Sequence, residues 1–280
     1  MPAVFVLIWS TGFIVARYGM PHAPPLTFLS WRYLLSLLAF APWIWLAGAA
    51  WPRGATQWLH LAVSGVLMHA GYLGGVWAAV RLGMSAGTIA LIVGLQPLLT
   101  AVWVNWQGEH RVTRLQAAGL LLGLLGLALV VGHKLSNGIV TPLNLSLALM
   151  ALASITIGTL YQKRFVKAVD VRSGNAVQLA AAWLVTAPLA WLEPGQIQWH
   201  PELIGAMAWS VLVLSLGGSS LLMLLIQGGA ATRVTSLLYL VPPCTAVMAW
   251  LLFGETLAPV ALLGMVLCVV GVAAVLRKSA

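Results

Sequence analysis

The chain has 280 residues, of which 61% are hydrophobic and 7% are charged, with a formal net charge of +9. That is too little polar surface to cover a water-soluble globule of this length, so the composition excludes a soluble domain and places the chain in a bilayer.

Apolar stretches long enough to cross about 30 Å of hydrocarbon at about 1.5 Å per residue run over 2–19, 25–47, 57–80, 84–106, 114–133, 142–166, 172–192, 203–227, 231–253 and 258–276. The expectation is an all-α polytopic membrane protein of ten transmembrane helices. The first stretch lacks a basic leader and carries Trp9, Ser10, Thr11 and Arg17, so it is read as a retained helix and not a cleaved signal. Arg32, near the start of helix two, is expected to reach the outer interface; attraction of an anionic group is the other reading. Trp43, Trp45, Trp51 and Trp58 sit at span ends and read as an interfacial belt.

Helix three places His69 near mid-membrane, where ionisable groups are expensive and face an interior or a water-filled cavity. Tyr72 lies nearly on its face, and Gly71, Gly74 and Gly75 allow a close helix approach. In helix four, Gln96, Thr100 and Trp103 stack on one face, while Pro97 removes a backbone donor and bends the helix, leaving the Val93 carbonyl without its helical partner; a grip on a polar solute and a packing kink with Gln96 bonded to a neighbouring helix are the two readings. Helix nine repeats the device with Pro242 and Pro243 below Tyr239. The three prolines are the candidate hinges. The small polar stripes Ser154, Gly158, Tyr161 and Ser215, Gly218, Ser219 read as helix-packing positions, and Cys244 and Cys268 as packing residues. No nucleotide-binding loop and no zinc-spaced cluster is present in the sequence, so neither a metal nor a cofactor is expected.

With the N-terminus on one side, that side receives Arg53, Arg111, Arg114, Lys163, Arg164, Lys167, Arg172, Arg233, Arg277 and Lys278; the other receives Arg17, Arg32, Arg81 and Lys134. Positive charge gathers in cytoplasmic loops, so both termini are expected in the cytoplasm and the basicity carries no sign of nucleic-acid binding.

"QPLLTAVWVNWQGE" near the middle returns as "VPPCTAVMAWLLFGE" near the end, and Pro97/Pro242, Gly119/Gly264 and Gly126/Gly271 share one offset of 145 residues. That offset spans five helices, and an odd number reverses the second copy. The expected organisation is therefore two inverted five-helix repeats, 1–135 and 136–280. Such repeats characterise secondary transporters, in which two similar halves exchange conformations about a midplane site.

The segments "WSTGFIVARYG", "PLTFLSWRYLLSLLAF", "GYLGGVWAAVRLGMSAGTIALIVGLQPLLTAV", "GEHRVTRLQAAGLLLGLLGLALVV" and "LASITIGTLYQKRF", in that order, resemble the EamA-type family of the drug/metabolite transporter superfamily. Within it the chain is similar to YddG-type amino acid exporters. The resemblance implies ten helices around a central cavity, export of amino acids or other small metabolites, and a bacterial-type inner membrane location. It implies a role for Trp9 and Ser10 in the family's tryptophan-polar motif of helix one.

The candidate substrate-binding residues are thus His69, Tyr72, Gln96, Thr100, Trp103, Trp9, Ser10 and Tyr239. The five acidic residues, Glu109, Asp170, Glu193, Glu202 and Glu255, lie at span ends or in loops, which argues against a membrane-embedded enzyme and for a neutral or zwitterionic solute. Only His69 sits near mid-membrane with an ordinary pKa close to working pH, and with no nearby carboxylate it is expected to orient substrate in facilitated transport. A proton-coupled exporter of another metabolite or drug, and a channel-like facilitator, are the alternatives. The lipid bilayer and a small metabolite are the expected partners of a monomeric carrier.

Overall fold

The computed structural model describes residues 2–106, 114–136, 140–166, 169–227, 240–255 and 258–276. All described secondary structure is helical: α1 Pro2–Gly19, α2 Pro25–Leu46, α3 Ala55–Gly65, a π segment Val66–Gly71, α4 Tyr72–Arg81, α5 Ala86–Val93, α6 Gln96–Trp106, α7 Arg114–Ser136, α8 Pro142–Phe165, α9 Val171–Ala190, α10 Pro201–Trp209, a second π segment Ser210–Ser219, α11 Ser220–Gln227, α12 Val241–Phe253 and α13 Pro259–Leu276. Four runs, Pro25–Leu46, Ala55–Arg81, Pro142–Phe165 and Pro201–Leu225, are long and apolar enough to cross a membrane, with shorter apolar helices beside them. Leu38, Leu121, Leu184, Leu212 and Leu251 point outward and are more than half exposed, as side chains facing lipid are. This is a polytopic helical membrane protein.

Local chemistry marks several helix starts. Pro25, Pro142 and Pro201 open α2, α8 and α10, where a missing N–H costs nothing because that donor has no helical partner. Thr141 and Asn144 form a reciprocal capping box at α8. The Glu193 carboxylate accepts from the backbone N–H of Leu26 at 2.9 Å and of Thr27 at 2.8 Å, satisfying two orphan donors of α2 where the helix dipole favours an anion.

The stretch 84–106 is not one bent helix. It breaks at Gly94 and Leu95, and α6 starts anew with Pro97 in its second position. Pro242 takes the second position of α12 in the same way. Proline here begins a helix and does not interrupt one, because the chain has already left the α5 axis. The two breaks meet: a methyl group added to Gly94 would lie 2.5 Å from Pro242 Cγ, so only glycine permits the contact.

The glycine pairs have an equally direct use at the seam of α7 and α13. A methyl group on Gly126 would lie 2.4 Å from the Gly264 carbonyl oxygen and 2.8 Å from Cys268 N. One on Gly271 would lie 2.5 Å from the Gly119 carbonyl oxygen and 2.6 Å from Gly123 N. Moving each partner by the 145-residue offset turns the first pair of contacts into the second, and the Cys268 thiol donates to the carbonyl of its own counterpart, Gly123, at 3.3 Å. Small residues let backbones approach where lipid supplies no hydrophobic drive to pack helices.

The stripe on α8 packs as expected: Ser154 fills the notch at Gly71, Gly158 faces Met68 and Leu67, and the Tyr161 hydroxyl meets His60 Nδ1 at 2.7 Å. Gly75 lies against the Leu147 carbonyl and Ala151, so the small face of the third predicted span is where α8 seats.

Candidate functional site

Both π segments interrupt the spans predicted at 57–80 and 203–227, and the 145-residue offset carries the first into the second. A π segment widens the helix by a residue per turn and loosens its carbonyls, and such segments concentrate at functional sites. Here the Tyr33 hydroxyl donates to the His69 carbonyl at 2.9 Å, with the two rings edge-on at 6.1 Å.

Between the π segments lies a narrow cavity of about 50 Å³. Trp9, Gly12 and Phe13 of α1 form one side, with Trp9 stacked parallel to Tyr72 at a centroid distance of 6.4 Å. His69, Met68, Val76 and Trp77 form another. Gln162 of α8 and Asn175 and Gln178 of α9 supply amides. The Gln178 amide donates to Ser64 Oγ at 2.8 Å and to Gln162 Oε1 at 2.9 Å, which locks both side chains. Asn175 Nδ2 donates to the Val171 carbonyl at 2.8 Å, whereas its Oδ1 is buried without a hydrogen-bond partner. An unmet buried acceptor costs about 1–3 kcal/mol.

The decisive side chain is Arg32. It does not reach the outer interface; it is 4% exposed and lines the cavity, with Nε donating to Ser215 Oγ of the second π segment at 3.3 Å. The expected outward reach fails because α2 turns this face toward the second π segment. No carboxylate among the described residues forms an ion pair with it. Of the five acids in the chain, Asp170 pairs with Arg172, Glu193 caps α2, Glu202 meets His22 and Glu255 accepts from Ala86 N; the fifth, Glu109, lies outside the described residues.

The predicted site residues divide. His69, Tyr72 and Trp9 converge on the cavity. Ser10 does not line it; its hydroxyl donates to the Val6 carbonyl at 2.7 Å and lies 3.5 Å from the Val241 carbonyl, joining α1 to α12. Gln96 is buried elsewhere and donates to Thr159 Oγ1 of α8 at 2.9 Å, Thr100 donates back to the Gln96 carbonyl, and Trp103 is 41% exposed. The shared face of these three is thus spent on α8 and the exterior. Tyr239 lies outside the described residues. Gln162, Asn175 and Gln178 were not selected from the sequence, and Arg32 was read as reaching the outer interface, with attraction of an anionic group as the other reading. Their signal was present, as polar side chains within or bordering apolar spans, but the spacing within one helix does not show which of them share a cavity.

The family model of EamA-like transporters matches the chain twice, over residues 3–132 and 143–277. The chain belongs to the EamA-like transporter family. Similar members include an uncharacterized transporter, YvbV, of Bacillus subtilis, 28% identical over 99% of this chain and 90% of its own length. A "Probable amino-acid metabolite efflux pump" of Salmonella typhimurium is 25% identical over 95% of this chain and 90% of its own length. The uncharacterized inner membrane transporter YedA of Escherichia coli is 27% identical over 92% and 84%. A solved crystal structure shares the fold, with a TM-score of 0.69 and 18% identity over 98% of this chain and 94% of that one. The EamA-like assignment makes this a multi-pass membrane protein of a transporter family.

Proposed function

We propose that the protein is a secondary carrier that exports amino acids, or closely similar carboxylate-bearing metabolites, across a bacterial inner membrane by alternating access. The observation that carries this reading is the buried Arg32 guanidinium on the cavity, while every described carboxylate is engaged elsewhere. A guanidinium presents a planar fork of donors that matches a carboxylate, and burial without a counter-ion is tolerable when a substrate supplies one. The unmet Asn175 Oδ1 offers an acceptor to an ammonium or other N–H donor, and the parallel Trp9–Tyr72 pair offers an apolar wall. Of the neutral or zwitterionic solutes expected from the sequence, this reading keeps the zwitterion, with the carboxylate now the essential half.

Ten spans in two inverted repeats, 1–135 and 136–280, account for the double family match and for the contacts exchanged by the 145-residue offset. In this reading both termini are cytoplasmic, Pro97, Pro242 and Pro243 mark the breaks about which the halves move, and Gln96 and Ser10 join one half to the other. His69 orients the solute and transport runs down the solute's own gradient. The carrier acts as a monomer, since one chain encloses the cavity.

Counter-flow in proteoliposomes tests the proposal with a panel of amino acids, their decarboxylated amines and their carboxamides. Amino acids should exchange with saturation, and the analogues without a carboxylate should not. Exchange of amines as fast as amino acids, or transport confined to cationic dyes, overturns the substrate class. A rate that never saturates overturns the carrier in favour of a channel-like facilitator. Accumulation of amino acid driven by an imposed pH gradient overturns uncoupled transport in favour of the proton-coupled alternative.

A further inference from the structure

The turn between α1 and α2 meets the start of α10 at a cluster that the sequence disperses over some 180 positions. His22 Nε2 lies 3.0 Å from Glu202 Oε2, and His200 Nδ1 lies 3.9 Å from the same oxygen. The two imidazoles stack at 4.5 Å with 9° between their planes. One ligating atom from each of the three side chains lies within 4.8 Å of the other two.

A hydrogen bond joins His22 to Glu202, while His200 Nδ1 accepts from the Glu202 backbone N–H at 3.4 Å as the cap of α10, a long bond that keeps its lone pair beside the same carboxylate. Two neutral imidazoles and one carboxylate are the donor set that borderline divalent ions prefer, with a water completing the tetrahedron. Bonds of about 2.0–2.1 Å at tetrahedral angles put ligand atoms about 3.3 Å apart, so the close pair must open by a few tenths of an ångström and the wider pair must close. Glu202 and His200 are about half exposed and have room to turn. The backbone that carries them is held in place: Gln198 N–H donates to the His22 carbonyl and His200 N–H to the Gln198 carbonyl, each at 2.8 Å. Glu193 fastens the same loop to α2. Holding the ligand backbone before the ion arrives reduces the ordering cost of binding.

We propose that His22, His200 and Glu202 form a site for a divalent transition-metal ion of the Zn²⁺ class, which ties the α1–α2 turn to the start of α10. Binding replaces two hydrogen bonds by coordination, His22 to Glu202 and the His200 Nδ1 cap of α10: Nε2 of His22 presents its lone pair and its ring proton resides on Nδ1. The site is separate from the cavity, so it stands or falls independently of the substrate assigned above.

The test uses the full chain, purified in detergent through a tag without histidine and titrated calorimetrically with ZnCl2, with Co²⁺ as a spectroscopic stand-in. One Zn²⁺ should bind per chain, Co²⁺ should give a visible ligand-field band, and the ion should raise the melting temperature. His22→Gln and His200→Gln should each weaken binding by about tenfold or more and remove the melting shift, which is read within each variant with and without Zn²⁺ because His200→Gln also removes the cap of α10. His60→Gln should bind as wild type does. Zn²⁺ binding that is unchanged in both His22→Gln and His200→Gln, binding lost in His60→Gln, or no saturable binding below about 1 mM overturns the proposal.

Discussion

The α7–α13 seam and the cavity wall are both places where counterparts 145 residues apart are set to use, and they use them in opposite ways. At the seam the counterparts are alike: Gly119 and Gly264, Gly126 and Gly271, and Gly123 with the small Cys268, so each contact has a twin. At the wall they differ. Arg32 answers to Val177, Tyr33 to Gln178 and His69 to Leu214. A framework that must look the same from both halves demands equal residues, because a close approach between backbones tolerates nothing larger on either side. A single asymmetric solute demands the reverse, with one cation, one imidazole and one set of amides. On the proposed reading, the duplication marked by the double family match supplies the frame, and divergence within it supplies the solute site.

The largest effect is expected on the asymmetric side. Arg32→Met should cost about 2–5 kcal/mol of substrate binding, a loss of roughly 30-fold or more in apparent affinity, with the protein still inserted; counter-flow of an amino acid measures it. Little change would remove the guanidinium from the site and with it the contrast.

The seam should answer to symmetry. Gly126→Ala and Gly271→Ala each push a methyl group onto backbone, so each should lose about 1–3 kcal/mol of stability, and the two losses should be nearly equal. Melting in detergent checks this, and a large inequality would show that the seam is less symmetric than its contacts.

His69 should give a smaller and more selective effect. His69→Gln keeps a hydrogen-bonding side chain and should retain more transport than His69→Leu, by about 1 kcal/mol. Abolition of transport by both, together with loss of pH-gradient coupling, would make the histidine a proton carrier.

The smallest effect lies outside the cavity, where the Arg172 guanidinium beside Asp170 holds that carboxyl below its ordinary range, helped by the backbone N–H of Arg172 at 2.9 Å. A depressed carboxyl pKa contributes stability above the unfolded value of about 3.9 and loses it as pH falls through the folded value. Asp170→Asn should therefore destabilise the start of α9 by no more than about 1 kcal/mol near neutral pH, and the gap to wild type should close below about pH 4. Chemical denaturation at the two pH values measures it.

Composition and the length of the apolar runs alone determined that this chain lives in a membrane as a bundle of helices, because only helices and closed barrels satisfy the backbone there and continuous apolar runs of about 20 residues fit helices and not strands. Repetition of the proline and glycine passages announced two related halves, and His69 stood out because an imidazole at mid-span is costly in any packing. Tertiary structure decided which face of each helix meets what. In water an apolar stripe identifies the inward face, but lipid is as apolar as leucine, so Gln96, Thr100 and Trp103 share a face whose destination helical spacing does not reveal. Arg32 reads as interfacial by position and is interior because α2 turns it toward Ser215. His22, His200 and Glu202 are loop residues in the sequence and become neighbours only when α10 starts beside the α1–α2 turn. Periodicity is a property of one helix, whereas a cavity, a seam and a ligand cluster belong to several helices at once, and only their packing brings those side chains together.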